Sequence, residues 1–160
     1  MSVDYDLLAK QFVALAEGEE DRLALSANFV ALLYMEIPDI NWLGLYVLRR
    51  DKLVLGPFQG LPACTEIALG RGVCGTAAAE MKTLRIDDVH SFTGHIACDP
   101  ASNSELVVPL IAAGKVFAVL DIDSAQGARF TQDDQQGVEK LCDRFVATLE
   151  AHQQPLGEFI

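Results

Sequence analysis

The sequence predicts an α+β domain with a largely antiparallel sheet and with N- and C-terminal helices packed on one face of it. Apolar residues recur at helical spacing near both ends, over Tyr5–Ala16 and again after Thr131. Between them, short alternating apolar segments are separated by glycine, proline and aspartate, which is typical of strands joined by hairpins. Strands grouped in the middle with helices at the ends favour this class over an alternating α/β fold. A length of 160 residues suits one domain, and we expect residues 1–160 to form it.

Two helices are predicted before the first strand. The first covers Tyr5–Ala16 and gathers its leucines and Phe12 on one side. The second, over residues 23–35, follows an acidic run that suits the positive end of a helix dipole. It is apolar nearly all round, so we expect it to be well buried, and Pro38 ends it.

Strands follow over residues 40–48, with residues 52–57 as a hairpin partner. Alternation places Trp42 and Tyr46 on one face of the first strand. Residues 60–76 are rich in glycine and predict a loop that leads into a short helix at residues 77–79.

The second half begins with a further strand predicted at residues 83–86. Residues 87–103 lack periodicity and predict a long irregular loop, a type of segment that is often functional. Residues 105–111 and 115–123 predict a hairpin with a glycine in its turn. Thr131 is the predicted cap of a final helix.

The charge balance excludes several classes of partner. Twelve basic residues against 23 acidic ones give a net charge of -11. Nucleic acids and anionic membrane surfaces both require clustered lysine and arginine, so neither is an expected partner. The N-terminus lacks the basic and apolar regions of a signal peptide. We therefore expect a cytoplasmic protein, whose four cysteines are thiols by default and form disulfides only transiently.

The cysteines fall into two groups. Cys142 lies on the apolar stripe of the final helix, where a thiol behaves as a small hydrophobic group. Cys64, Cys74 and Cys98 lie in segments predicted to be irregular, which favours redox chemistry between exposed, mobile thiols. Their spacing contains no Cys-x-x-Cys pair, so no metal site is expected.

Cys98 is the preferred nucleophile among these thiols. Asp99-Pro100 follows it directly and is typical of the start of a helical turn. A thiol at such a boundary would have a lowered pKa, although the charge of Asp99 acts in the opposite direction.

A cluster of carboxylates is predicted at one end of the sheet. Alternation puts Asp121 and Asp123 on the same strand face, and Glu105 opens the partner strand of that hairpin. These residues are either solvated strand ends or a pocket that binds an ammonium group and keeps one carboxyl protonated. Trp42 and Tyr46 likewise belong either to the core or to the wall of a site.

Eight motifs follow one another along the middle of the chain: NWLGLY at 41–46, LGPFQG at 55–60, PAC at 62–64, RGVCGTAAA at 71–79, DVH at 88–90, GHIACD at 94–99, SELVVPL at 104–110 and VLDIDS at 119–124. Taken in this order, they resemble the free methionine-(R)-sulfoxide reductases, enzymes built on a GAF domain. The resemblance runs from about residue 40 to about residue 130 and implies a GAF-like fold.

The resemblance also implies roles for the cysteines. Cys98 corresponds to the catalytic cysteine, Cys64 to the resolving cysteine, and Cys74 to a third thiol able to join disulfide exchange. Thiolate attack would leave a sulfenic acid on Cys98, which condenses with Cys64 to a disulfide that thioredoxin reduces. No cofactor is implied, and a homodimer is compatible with the sequence.

The remaining roles concern the substrate, free methionine sulfoxide. Glu105, Asp121 and Asp123 correspond to the acidic residues that hold it, and Glu105 is the first candidate for the proton donor. Trp42 and Tyr46 correspond to an aromatic wall against the substrate's methyl group.

Two alternatives remain at this point. GAF domains also serve as small-molecule sensors, but a sensor has no use for three loop cysteines. A thiol redox sensor without turnover would use the cysteines but does not account for the acidic cluster.

Overall fold

The computed structural model describes residues 2–96, 98, 100–152, 156 and 159–160. The helices are α1 (Tyr5–Ala16), α2 (Arg22–Glu36), α3 (Gly72–Glu80) and α4 (Gln132–Glu150). The strands are β1 (Trp42–Arg49), β2 (Lys52–Gln59), β3 (Glu66–Ala68), β4 (Leu84–Ile86), β5 (Ser104–Ala112) and β6 (Lys115–Ser124). Within these ranges no helix is both long and apolar enough to cross a membrane.

The six strands form one sheet in the order β3-β2-β1-β6-β5-β4, and every neighbouring pair is antiparallel. The predicted hairpin of β5 and β6 is confirmed. Its turn residues Ala113 and Gly114 have φ of 51° and 74°, the left-handed pair that tight hairpins require. The α+β class and the antiparallel sheet predicted from the sequence are therefore correct.

One face of the sheet carries the main core. Alternate residues of the central strands, such as Leu45 and Leu120, are fully buried there beneath α1, α2 and α4. Phe29 and Phe145 stack at a ring distance of 4.3 Å between these helices. The terminal helices thus pack on one face of the sheet, as predicted. Helix α2 was expected to be buried nearly all round, but it is buried on one side only, and Leu23 on its other side is 58% exposed.

The opposite face carries α3 and a second, smaller apolar cluster that includes Trp42, Tyr46, Val107 and Val119. Strand alternation therefore separates the structural core from a face that combines aromatic and acidic residues. The functional residues predicted from the sequence lie on or beside this second face.

Residues 60–65 and 69–71 lie outside helices and strands, as predicted. The loop prediction is wrong for residues 66–68, which form β3, and for residues 72–76, which are the first five residues of α3. At Gly75 the glycine serves close packing. A Cβ atom on Gly75 would lie 2.4 Å from the carbonyl oxygen of Ala68, so only glycine lets α3 approach β3 this closely. The consequence for function is that Cys74 lies in a helix.

Candidate active site

The acidic cluster follows from the register of β5 and β6. Glu105 pairs with Asp123 across the two strands, and Asp121 lies two residues farther along, opposite Val107. All three carboxylates share the face of the sheet that also carries Tyr46. Glu105 is 5% exposed and Asp121 is 6% exposed, so these two are not solvated strand ends.

Cys74 reaches the same cluster from α3. Its Sγ atom lies 3.9 Å from Oε1 of Glu105 and is buried. One ligand atom each from Cys74, Glu105 and Asp121 lies within 4.8 Å of the others. Oδ1 of Asp121 has no hydrogen-bond partner in the described part of the chain.

Burial sets the protonation of this cluster. It raises the pKa of Glu105 well above the usual range, and the charges of Asp121 and Asp123 raise it further. Burial also raises the pKa of Asp121, to about 6. Hydrogen bonds from Glu105 and Cys74 act in the opposite direction and limit this rise. Of the two carboxyl groups, Glu105 is therefore the one that holds its proton more strongly, and Asp121 is the one that ionises first.

The Cys74 thiol is held neutral in the same way. Burial raises its pKa well above the usual range, and the neighbouring Asp121 and Glu105 act in the same direction. The prediction that Cys74 is an exposed, mobile loop thiol is therefore wrong. It is a buried S–H group on a helix that faces two carboxyl groups.

The other two sequence-predicted redox cysteines are joined by a disulfide. Cys64 and Cys98 are 34 residues apart in sequence, and their Cα atoms lie 5.3 Å apart. The bond links the segment after β2 to the loop between β4 and β5. Cys98 lines the same cavity as the acidic cluster. The structure therefore contains the cysteine pair that the family resemblance implies.

The helical turn predicted after Cys98 begins at Asp99, which lies outside the described residues. Pro100 and Ala101, the next described residues, form a hydrogen-bonded turn.

Aromatic residues hold the segment that carries Cys64. Trp42 donates its indole N–H to the carbonyl of Leu61 at 3.1 Å. Tyr46 donates its hydroxyl to the carbonyl of Cys64 at 2.9 Å. The two rings stack at 5.8 Å. Tyr46 lines the cavity, whereas Trp42 lies behind it and packs on Phe58.

The base of the Cys98 loop is tied to the sheet. Val89 donates its backbone N–H to Asn103, and Asn103 donates its own to Ser124 at the end of β6. Nε2 of His90 lies 2.9 Å from Oδ1 of Asn103. These contacts place both ends of the loop beside the acidic cluster. The contacts could not be predicted from the sequence, because this segment has no periodic pattern.

The cavity between these elements has a volume of about 30 Å³. That is room for about two water molecules and not for an amino acid. Its lining includes residues that the sequence analysis did not assign to a site: Ile67, Arg71, Gly72, Val73, His95, Ile96 and Ser102. His95 places Nε2 3.7 Å from Oε2 of Glu105. Burial, together with the charge of His90, lowers the pKa of His95, so its ring is neutral at neutral pH.

Cys142 stands apart from this site. It is 2% exposed and belongs to the core beneath the opposite face of the sheet. Its predicted placement in the apolar stripe of the final helix is confirmed.

An antiparallel sheet with helices on one face, and a small cavity under loops on the other, defines a GAF domain. The GAF domain family matches residues 19–149. In this chain the cavity additionally holds a disulfide and buried carboxyl groups.

Several known proteins are similar to this chain in both sequence and fold. Free methionine-R-sulfoxide reductase of Escherichia coli K12 is 55% identical, over 91% of this chain and 86% of that protein. A structure of fRMsr of Staphylococcus aureus in complex with substrate has a TM-score of 0.88 and 44% identity, covering 93% of this chain and 97% of the other. The free methionine-R-sulfoxide reductase of Neisseria meningitidis in complex with its substrate has a TM-score of 0.89 and 39% identity, with 94% and 90% covered. This chain belongs to the free methionine-R-sulfoxide reductase family.

The buried carboxyl pair predicts an unusual pH dependence of stability. A carboxyl whose pKa is higher in the folded than in the unfolded chain stabilises the fold most at low pH, and that contribution is lost as pH rises through the folded pKa. For Asp121 this contribution is lost over the pH window from 3.8 to about 6. Asp121→Asn should match the wild type below this window and exceed its stability above it by on the order of 1–3 kcal/mol. Urea unfolding at a series of pH values measures the difference.

Asp134→Asn is the matched control. Burial would raise the pKa of Asp134, but hydrogen bonds from Thr131 and Tyr5 and the charge of Arg129 lower it overall. Its carboxylate therefore stabilises the fold at neutral pH, and this variant should be less stable than the wild type there. An Asp121→Asn protein that is less stable than the wild type at every pH would contradict the interpretation.

Proposed function

We propose that this chain reduces free L-methionine-(R)-S-oxide to methionine by thiol chemistry. The observation that carries the proposal is that Cys98, paired with Cys64, lines one cavity with Glu105, Asp121 and Asp123. A redox-active thiol and an acidic, partly protonated site are the two components that this reaction needs. The printed activity of the relatives supports the same substrate.

The reaction begins in the reduced protein. The Cys98 thiolate attacks the sulfoxide sulfur, and a proton must reach the oxygen as the S–O bond breaks. The protonated oxygen is transferred from the substrate sulfur to the Cys98 sulfur, so the substrate's S–O bond breaks as the S–O bond of a sulfenic acid forms, and methionine leaves. The Cys64 thiol then condenses with the sulfenic acid, releasing water and forming the disulfide seen in the structure.

Glu105 is the proposed proton donor. A donor must be protonated before the reaction and close to the oxygen, and burial keeps Glu105 protonated near neutral pH. Asp121 is charged under the same conditions and stabilises that proton through the hydrogen bond between the two carboxyl groups. The pair thus divides the roles of acid and anion in the way that shared buried carboxyl groups do.

The ammonium group of a free amino acid is the proposed partner of Asp121 and Asp123. It supplies a positive charge and up to three N–H donors to a site that carries net negative charge. The lining residue Tyr46 gives an apolar ring for the sulfur and its methyl group, and Trp42 supports that ring from behind.

The disulfide form represents the end of the cycle in this proposal. Its cavity of about 30 Å³ is smaller than the substrate, so the substrate is proposed to bind the reduced form. A thioredoxin-type dithiol is the proposed reductant, which fits a cytoplasmic protein. Cys74 stays a neutral buried thiol and takes no part in the exchange steps of this scheme.

The thiols can be tested one at a time with racemic methionine sulfoxide. Cys98→Ser should release no methionine with either dithiothreitol or thioredoxin, because no other thiol occupies the attacking position. Cys64→Ser should release one methionine per chain and then stop when thioredoxin is the reductant. Cys142→Ser is the control, and its turnover should stay close to that of the wild type. Quantifying methionine by chromatography gives the result.

The same measurement separates the enzyme from a sensor. A small-molecule or thiol sensor would bind or oxidise without releasing methionine. Full turnover in Cys98→Ser, or no methionine from the wild type with either reductant, would overturn the proposed function.

Selectivity for the free amino acid is the second test. An N-acetylated substrate lacks the ammonium group and cannot donate its charged N–H groups to the aspartates, and hydrogen bonds to charged groups contribute roughly 1.5–3 kcal/mol each. We expect kcat/KM for N-acetylmethionine-(R)-sulfoxide, and for the same residue within a short peptide, to fall by at least about a hundredfold, roughly 2.7 kcal/mol. Equal kcat/KM for free and acetylated substrates would show that the carboxylates do not bind the ammonium group.

A further inference from the structure

The cluster of Cys74, Glu105 and Asp121 has the composition of a metal site. Its ligand atoms come from α3, β5 and β6 and lie within 4.8 Å of one another. Zinc binds sulfur at about 2.3 Å and carboxylate oxygen at about 2.0–2.2 Å, which places neighbouring ligands roughly 3.5–4 Å apart. Side-chain movements of about 1 Å would bring the three atoms to that spacing.

The site also lacks a partner that a cation would supply. Asp121 is 6% exposed, lines the cavity, and has an Oδ1 atom without a hydrogen-bond partner among the described residues. A buried acceptor left unpaired costs about 1–3 kcal/mol, and more if it is charged. A bound cation would pair this oxygen and offset the negative charge of the cluster.

A fourth ligand is close by. Nε2 of His95 lies 3.7 Å from Oε2 of Glu105. A neutral imidazole nitrogen is a common metal ligand in proteins. One thiolate, one imidazole and carboxylate oxygens form a donor set typical of zinc, whereas calcium and magnesium require oxygen alone.

The size of the cavity also fits an ion. About 30 Å³ accommodates an ion or a few water molecules. Ile96, one of the lining residues, is 39% exposed.

We propose that Cys74, Glu105 and Asp121, with His95 as the fourth ligand, bind a thiophilic divalent cation such as Zn²⁺ or Cd²⁺. The metal–sulfur bond forms as the Cys74 S–H bond breaks, and Glu105 gives up its proton as well, so both protons pass to solvent and affinity rises with pH. Neither Cys64 nor Cys98 takes part. One consequence rests on the proposed function: a bound ion occupies the carboxylates that receive the ammonium group and inhibits reduction.

The test uses the full chain in its disulfide form. Cd²⁺ is titrated into the protein, and the ultraviolet charge-transfer absorption of a cadmium–thiolate bond is recorded. The wild type should bind one equivalent with this absorption, more tightly as the pH is raised. Because only Cys74 and Cys142 are free thiols in this form, the absorption can arise from just two residues. No sulfoxide is present, so the result is independent of the proposed reductase activity.

Variants assign the bond. Cys74→Ser should lose the absorption, and Asp121→Asn should keep it but weaken binding at least tenfold, since even residues outside the metal's direct ligands change affinity 10–100-fold. Cys142→Ser should behave as the wild type. Circular dichroism shows whether each variant is folded. If Cys74→Ser does not fold, the change in affinity of Asp121→Asn still tests the proposal. Absorption that persists in Cys74→Ser, unchanged affinity in Asp121→Asn, or no binding by the wild type would overturn the proposal.

Discussion

The burial of two carboxyl groups beside each other is the constraint on which the site depends. The register of β5 and β6 brings Glu105 and Asp121 to one face of the sheet, and both are almost fully buried. Two charges cannot coexist there at low cost, so one proton stays with Glu105. The apolar core lies beneath the opposite face of the sheet, away from this pair. Burial thus supplies the acid that the proposed mechanism requires, without any unusual side-chain chemistry.

The surrounding residues complete the site around this pair. Tyr46 and Trp42 hold the Cys64 segment through hydrogen bonds to its backbone carbonyls, and the disulfide to Cys98 places the second loop over the cavity. Cys74 adds a neutral S–H group whose charge would be as costly as that of the carboxyl groups. The proposed acid catalysis and the proposed metal binding both draw on the same buried, negatively charged cluster.

Much of this arrangement could be predicted from the sequence, and the exceptions have physical causes. Strand alternation is a local pattern. It was therefore possible to predict from the sequence that Asp121 and Asp123 share a strand face and that Glu105 lies on the partner strand of their hairpin. The role of glycine in α3 could not be predicted, because Gly75 is required by the position of Ala68, which only tertiary packing determines. That error put Cys74 in a loop and hid its contact with Glu105. The ligands of the proposed metal site come from three separate elements, so they form no recognisable spacing motif in the sequence. For this reason the spacing of the cysteines predicted no metal site. The family resemblance implied that Trp42 and Tyr46 form an aromatic wall, but it did not predict their hydrogen bonds to the Cys64 segment.

The protonation state of Glu105 at neutral pH is the most direct test of this account, and infrared difference spectroscopy measures it. The spectrum of the wild type minus that of Glu105→Gln should contain the carbonyl stretching band of a protonated carboxylic acid. The band should disappear only at pH values well above the usual range for glutamate, because burial and the charge of Asp121 favour the protonated form. A difference spectrum at neutral pH that contains only carboxylate bands would show that Glu105 is ionised. The site would then have no buried acid, and the proposed division of roles between Glu105 and Asp121 would be wrong.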